Sequence, residues 1–159
     1  MRILFCIRTL LISLAAVAIA FLFIGVQAAR AETAPVHTGL LSNIAVGGYD
    51  PVAYFTQGRP VRGAAAHRID HRGYEYRFAS AANLAAFRAD PERYLPRYGG
   101  YCAWAVANGY TAPGNPQNWR IVDGRLYLNY NDEIQRRWEA NIPGFIRSAE
   151  ENWPGVLAR

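Results

Sequence analysis

Residues 119–129 read WRIVDGRLYLN and encode the clearest β-hairpin in the chain. Asp123-Gly124 stands between two apolar runs, and this dipeptide is typical of tight turns whose residues need positive φ. A second hairpin is predicted over residues 66–78, because its second arm, residues 74–78, alternates aromatic and charged side chains with the period of a half-buried strand. These two hairpins decide the fold class.

Short helices are predicted between and after the hairpins. Asp50-Pro51 and Asp90-Pro91 each combine a capping residue with a proline, which loses no hydrogen bond at the first helical position. Further helical segments are predicted after Ser80, over residues 101–106, as a single turn at Asn115-Pro116, over residues 132–141 and over residues 145–153. The expected fold is α+β: a single small domain of two β-hairpins with short packed helices, preceded by an N-terminal apolar leader.

The leader covers residues 1–31. Arg2 and Arg8 precede residues 9–26, which are uncharged and largely apolar, and residues 29–31 form the small-x-small pattern of a signal-peptidase site. The apolar run is also at the lower edge of the length needed to span a membrane. We therefore expect a signal peptide or a membrane anchor, with cleavage favoured. In both cases the rest of the chain faces outward, as a periplasmic or secreted protein or one anchored in the inner membrane.

Cleavage changes the charge of the protein. The whole chain of 159 residues has 17 basic and 12 acidic residues and a net charge of +5. Removing residues 1–31 takes away three arginines, so that 14 basic and 12 acidic residues remain with a net charge of +2. This nearly neutral surface argues against a nucleic-acid partner. Residues 32–46 are small and polar without a clear period and are predicted to be a linker to a domain over residues 47–154.

The cysteines of the chain are Cys6 and Cys102, and Cys6 lies in the leader. Cys102 is thus the single thiol of the mature chain and has no intramolecular disulfide partner. It follows a diglycine in the predicted first turn of a helix, where backbone amides and the helix dipole favour the thiolate and lower its pKa. Cys102 is therefore a candidate catalytic or metal-ligating residue. The alternative is a small buried hydrophobe.

His67 and His71 are further candidate metal ligands. On a helix, a spacing of four would place both imidazoles on one face. The predicted strand instead separates them by about 13 Å, which favours a solvated or structural role. A Cys–His nucleophilic pair would require an imidazole within hydrogen-bond reach of Cys102, and Tyr98 and Tyr101 are candidates to line a pocket beside this thiol. No nucleophile elbow, phosphate loop or zinc-protease motif occurs in the sequence.

The order of these signals resembles the YHS domain. The resemblance rests on residues 48–55 (GYDPVAYF), the hairpin that follows and residues 90–94 (DPERY). Residues 98–103 (YGGYCA) and 121–130 are similar to a subgroup of secreted YHS proteins, some of which carry selenocysteine in place of Cys102. The family is regarded as metal-associated, so a transition metal ion is a candidate cofactor, and no cofactor is assigned.

This sequence also departs from the family pattern. Metal-associated YHS domains place cysteines after Asp-Pro-Val and after the aromatic strand, where this chain has Ala53 and Ala79 or nearby small residues. Only the histidine of the Tyr-His-Ser triad remains, as His71. A soft-metal site of the family kind therefore cannot be transferred to this chain.

Two functions follow from these observations. The first is an extracytoplasmic YHS-like domain whose Cys102 thiol acts in redox chemistry or soft-metal binding, with His71 as a helper. The second is a non-catalytic ligand-binding or interaction module in which Cys102 is buried and inert. No enzyme class and no protein partner is assigned, and residues 9–26 are a candidate membrane tether.

Overall fold

Two antiparallel hairpins form the frame of the protein. The computed structural model describes residues 32–158, and in it each hairpin is a separate two-stranded sheet. The first pairs β1 (Ala64–His71) with β2 (Tyr74–Phe78), and the second pairs β3 (Asn115–Val122) with β4 (Arg125–Asn129). Both predicted hairpins, and with them the α+β fold class, are confirmed.

The turns of the two hairpins have the same backbone conformation. In the second hairpin Asp123 and Gly124 have φ values of 49° and 69°. In the first, Arg72 and Gly73 have φ values of 56° and 85°. Two successive residues with positive φ match the right-handed twist of the flanking strands, which is why a residue followed by glycine occupies both turns.

Within residues 32–158, six short helices surround the hairpins. They are α1 (Ala53–Thr56), α2 (Ala81–Ala89), α3 (Pro91–Tyr94), α4 (Ala103–Ala107), α5 (Asp132–Glu139) and α6 (Ile142–Asn152). Three 3₁₀ turns accompany them among the described residues, at Val46–Gly48, Arg97–Gly100 and Gly155–Ala158. No helix within residues 32–158 is both long and apolar enough to cross a bilayer.

Side-chain caps fix the starts of several helices. Ser80 Oγ accepts a hydrogen bond from Asn83 N at 3.1 Å, and Asp90 Oδ1 accepts one from Arg93 N at 3.3 Å. Both capping residues were expected from the sequence. Asn131 and Asn141 cap α5 and α6 in the same manner. Each cap satisfies a backbone N–H that has no partner within its own helix.

Asp50 does more than start α1. Its carboxylate is buried and accepts four hydrogen bonds: from Val52 N at 2.8 Å, Ala53 N at 3.2 Å, Ala79 N at 2.8 Å and Asn83 Nδ2 at 2.6 Å. One side chain therefore joins α1 to the end of the first hairpin and to α2. The backbone amides of Ala53 and Ala79 therefore meet at this carboxylate.

The hydrophobic core has two clusters that share strand β4. Leu126 and Leu128 face the first cluster and Tyr127 faces the second, because successive side chains of a strand point to opposite faces. The first cluster also contains the buried side chains of Ala45, Val46, Val52, Tyr54, Tyr76, Phe78 and Phe87. The second contains Tyr98, Tyr101, Ala103, Val106, Trp138, Ala149 and Val156. Both hairpins therefore belong to one folded unit.

The segment predicted as a linker is part of this unit. Residues 32–46 lie along the domain, where Thr33 N donates to Leu157 O and His37 N donates to Gly99 O, each at 2.9 Å. The expectation of a free linker is corrected, because backbone hydrogen bonds hold this segment and require no hydrophobic period.

Two other expectations need comment. The turn predicted at Asn115-Pro116 is wrong: these residues begin β3, where Asn115 pairs with Asn129 across an irregular register. The predicted signal peptide or anchor, together with Cys6, lies in residues 1–31, outside the described residues.

Candidate functional site

A cavity of about 310 Å³ opens beside the turn of the first hairpin. We call it the His71 cavity. Its wall combines charged, aromatic and apolar side chains from five segments of the chain, among them Val36, His71, Arg72, Tyr74, Glu92, Leu95, Arg97, Tyr98 and Trp153. These five segments are residues 35–36, the first hairpin, α3 with the residues that follow it, the next 3₁₀ turn and the residue after α6.

His71 is the last residue of β1 and pairs with Tyr74. Its ring packs edge-on against Phe87 and Tyr76, with centroid distances of 5.7 Å and 6.2 Å. The neighbouring Asp70 accepts a hydrogen bond from Gly73 N at 3.0 Å and so stabilises the turn. Packing on aromatic rings fixes the imidazole in the wall of the cavity.

Two buried nitrogen atoms of this wall have no hydrogen-bond partner within residues 32–158. They are His71 Nε2 and Arg97 Nε. The third such side-chain atom among the described residues, Trp138 Nε1, belongs to a residue of the second core cluster. Buried polar groups in folded proteins are almost always hydrogen-bonded, so two unpartnered ones in a single cavity wall require an explanation.

Arg97 is held in place through its other end. Its Nη2 donates to Glu150 Oε1 at 2.5 Å, and Tyr98 Oη donates to the same oxygen at 3.3 Å. Burial alone would lower the pKa of Arg97, but the hydrogen bond and the charge of Glu150 outweigh it and raise this pKa. The guanidinium is therefore a fixed cation at the cavity.

Gly99 allows residues 35–36 to form one side of the cavity. Its φ is +60°, and a Cβ at this position would lie 1.9 Å from Pro35 O. A larger residue would push this segment away from the domain. Gly99 therefore serves close backbone packing, a role that the sequence pattern did not reveal.

A second, smaller pocket of about 210 Å³ lies against Cys102. We call it the Cys102 pocket. Its wall is mostly apolar and aromatic and consists, besides the cysteine, of Trp104, Ala105, Tyr110, Ala112, Tyr130 and Ile134. Every one of these residues comes from the second half of the domain.

Cys102 is the residue immediately before α4 and is only 1% exposed. Its Sγ–H donates to Asn129 Oδ1 at 3.6 Å. Burial raises the pKa of the thiol, although backbone hydrogen bonds from Ala105, Tyr130 and Trp104 act in the opposite direction. The lowered pKa expected from the helix start is therefore corrected, because the desolvation of the thiolate outweighs these amides.

Asn129 positions this thiol and was missed by sequence reasoning. Its side chain is fully buried, its Oδ1 also accepts from Trp104 N at 3.1 Å, and its Nδ2 donates to Gln135 Oε1 at 2.9 Å. The amide thus links the end of β4 to the starts of α4 and α5. A polar residue at the end of an apolar strand was the signal that could have identified it.

Cys102 and His71 line different cavities. The hydrogen-bond acceptor of the thiol is an amide and not an imidazole, so the Cys–His pair that a hydrolase would need is not formed. Tyr98 lines the His71 cavity, which corrects its expected place beside Cys102. His67 lies earlier on β1 and is not in the wall of either cavity.

The described residues do not fit a metal ion. Within residues 32–158, no three side chains of His, Cys, Asp or Glu converge as metal ligands. Ala53 and Ala79 have no side-chain metal ligand, and their backbone amides donate to Asp50. The cofactor implied by the resemblance is therefore not supported by the donor set of this part of the chain.

The fold and the site define a class of protein: a small α+β domain with a cavity of mixed polar and apolar lining at the turn of one hairpin. Residues 52–98 match the family model of the YHS domain, and the chain therefore carries a YHS domain. No curated protein and no solved structure gives a significant match to the chain. The matched segment includes His71 and Arg97, whereas the Cys102 pocket lies wholly outside it.

Proposed function

We propose that this protein is a ligand-binding YHS module and that the His71 cavity is its binding site. The observation that carries the proposal is the pair of buried, unpartnered nitrogen atoms, His71 Nε2 and Arg97 Nε, in one cavity wall. The cavity volume of about 310 Å³ is at the lower end of the range for small-molecule sites, which is about 300–1,000 Å³. The proposed ligand is thus a small molecule.

The energetics favour an occupied cavity. Leaving a buried polar group unsatisfied costs about 1–3 kcal/mol, and a ligand atom that completes its hydrogen bond recovers part of this cost. The wall is also positioned before binding, since His71 packs on Phe87 and Arg97 is held by Glu150. A preorganised wall loses less conformational entropy when a ligand binds.

A fragment screen tests the proposal. We expect small polar aromatic fragments to raise the melting temperature of the protein and to shift the side-chain NMR signals of His71 and Arg97. His71→Gln should weaken binding at least about tenfold, because it removes one ring nitrogen and the shape around it. His67→Gln, on the same strand but outside the cavity wall, is the matched control. Fragments that bind both variants equally would place the site elsewhere.

The second candidate function is thiol chemistry at Cys102. It is favoured by the three backbone amides directed at the sulfur and by the apolar pocket beside it. In this mechanism the thiolate attacks an uncharged organic hydroperoxide. The O–O bond breaks, the sulfur becomes a sulfenic acid, and the other oxygen leaves as the alcohol after taking a proton. A small external thiol then forms a mixed disulfide, releases water and restores Cys102 in a second exchange.

Alkylation separates the two candidates. If the protein is a binding module with an inert cysteine, iodoacetamide should modify Cys102 at least about tenfold more slowly in the folded protein than in urea. The pH at which the alkylation rate reaches half its maximum should lie above the ordinary thiol pKa. A thiolate that reacts below pH 8 would instead favour thiol chemistry. For the soft-metal variant of this function, protein purified with its native metal content is compared with Cys102→Ala, and only a loss of metal in the variant supports ligation.

We further propose that the domain is exported and belongs to the secreted subgroup of YHS proteins. Residues 29–31 support cleavage after Ala31, and the sequence YGGYCA supports the subgroup. The mass of protein recovered from the periplasmic fraction tests this directly. We expect a chain beginning at Glu32, whereas a full-length chain in the membrane fraction would support a retained anchor.

A further inference from the structure

We propose that the His71 cavity selects small organic monocarboxylates, whose carboxylate accepts hydrogen bonds from His71 Nε2 and Arg97 Nε and whose apolar body packs on the aromatic wall. The inference rests on the proposed binding function and specifies the chemical class of the ligand. It is carried by the type of the unpartnered atoms, by the charges around them and by the remaining wall of the cavity.

The unpartnered atoms require an acceptor. Arg97 Nε carries a hydrogen at every accessible pH and only donates, so no cation or N–H group satisfies it. His71 Nε2 donates in one neutral tautomer and in the imidazolium form. An oxygen-rich acceptor therefore completes both, and a carboxylate supplies two oxygens in one plane.

The ion pairs around the cavity limit the charge of the ligand. Arg72 and Glu92 form an exposed ion pair with an N–O distance of 2.7 Å and neutralise each other. Arg97 and Glu150 form a second pair, with an N–O distance of 2.5 Å, although Glu150 is not among the lining residues. Because both arginines are paired, the cavity accommodates a monoanion more easily than an inorganic phosphate dianion, which would bring a second negative charge without a cation to balance it.

The rest of the wall is suited to an organic body. Tyr74, Tyr98 and Trp153 provide aromatic surface, and Val36, Leu95 and Pro96 provide aliphatic surface. Burial of apolar ligand surface contributes about 25 cal/mol per Å². A carboxylate attached to an aromatic ring or a short aliphatic chain therefore makes favourable contacts along the whole cavity, while a bare inorganic anion does not.

Calorimetric titration of the purified protein with four probes tests the selectivity. The probes are phenylacetate, the neutral phenylacetamide, the cationic phenethylamine and inorganic phosphate. We expect phenylacetate to bind at least about tenfold more tightly than each of the others, in keeping with the strength of charge-assisted hydrogen bonds. Arg97→Gln should abolish the preference for phenylacetate over phenylacetamide. Arg137→Gln, which removes an exposed arginine on α5, should leave it unchanged.

The outcomes are distinguishable. If phenylacetamide or phenethylamine binds as tightly as phenylacetate, the carboxylate inference is overturned and the binding function stands. If phosphate binds most tightly, the site is a general anion site and the inference is also overturned. If none of the organic probes binds at millimolar concentration, both proposals fail. Should Arg97→Gln not fold, the ¹⁵Nε signal of Arg97 in the wild-type protein replaces it: saturation of its shift by phenylacetate supports the inference, and an unchanged signal overturns it.

Discussion

The His71 cavity and the Cys102 pocket differ in how their polar groups are satisfied. In the Cys102 pocket the thiol donates to Asn129, which itself makes three hydrogen bonds inside the protein. In the His71 cavity two buried nitrogen atoms have no partner within residues 32–158. Polar groups that the protein itself satisfies are explained by folding, whereas two that remain unsatisfied in the wall of one cavity are the basis for proposing a ligand there.

The two cavities also differ in their relation to the family. The His71 cavity is built largely from residues 52–98, the segment that matches the YHS domain, while the Cys102 pocket is built from residues 102–134. Cys102 is the more conspicuous residue in the sequence, because it is the single cysteine of residues 32–159. The geometry instead favours the less conspicuous His71 as the binding residue.

The largest expected effect tests how Asp50 joins α1, the first hairpin and α2. Asp50→Ala should lower the free energy of unfolding by about 3–5 kcal/mol, because it leaves four buried N–H donors around Asp50 without their acceptor. Urea denaturation followed by circular dichroism measures this loss. Asp70→Ala is the matched control, since the exposed Asp70 accepts one hydrogen bond, from Gly73, and should cost less than about 1 kcal/mol. Equal losses in both variants would contradict the role of Asp50.

The next largest loss of stability is expected at Asn129, which positions the Cys102 thiol. Asn129→Ala should cost about 2–3 kcal/mol, because Trp104 N, Gln135 Oε1 and the Cys102 thiol lose a buried partner. Asn131→Ala, two residues further on, removes an exposed helix cap and should cost about 1 kcal/mol. Urea unfolding of the two variants gives the comparison. An Asn129→Ala variant as stable as the wild type would show that this pocket is not a satisfied polar network.

The elements of the fold were largely predictable from the sequence, because the signals that specify them are local. Asp123-Gly124 specifies a turn, and Ser80 and Asp90 specify helix starts, within a few residues of the backbone groups they affect. The start of β3 at Asn115 was missed, because pairing with Asn129 at the open end of the hairpin overrides the local turn preference of Asn-Pro.

The cavities could not be predicted, because they depend on contacts between residues far apart in the chain. The place of residues 32–46 is determined by hydrogen bonds such as His37 N to Gly99 O and Thr33 N to Leu157 O. Arg97 showed no distinguishing pattern in the sequence, and its position follows from Glu150, which is 53 residues away. The burial that raises the pKa of Cys102 likewise comes from tertiary packing around the start of α4.

The third effect concerns the pH dependence that Cys102 confers. Because burial raises the pKa of the folded thiol above about 9, the unfolded chain loses this proton first as the pH rises. The contribution of the thiol to stability is therefore complete below pH 9 and is lost between pH 9 and the folded pKa, with a slope of at most about 1.4 kcal/mol per pH unit. We expect the wild type to lose more stability than Cys102→Ser from pH 9 to 10 in urea titrations. Parallel losses would mean that the thiol is not desolvated.

The smallest effect tests whether the two halves unfold together. Tyr54 Oη in the YHS segment donates to Pro116 O in β3 at 3.0 Å, and the ring packs edge-on against Trp119 at a centroid distance of 5.2 Å. Tyr54→Phe removes only the hydrogen bond and should cost about 1 kcal/mol, whereas Tyr110→Phe, at a side chain that is 47% exposed, should cost nearly nothing. Since one core spans both hairpins, the urea transition should shift as a whole, with the same midpoint by tryptophan fluorescence and by circular dichroism. Two separate transitions in Tyr54→Phe would show instead that the part of the domain around the Cys102 pocket folds independently of the part around the His71 cavity. The contrast between the two cavities would then be a contrast between two domains.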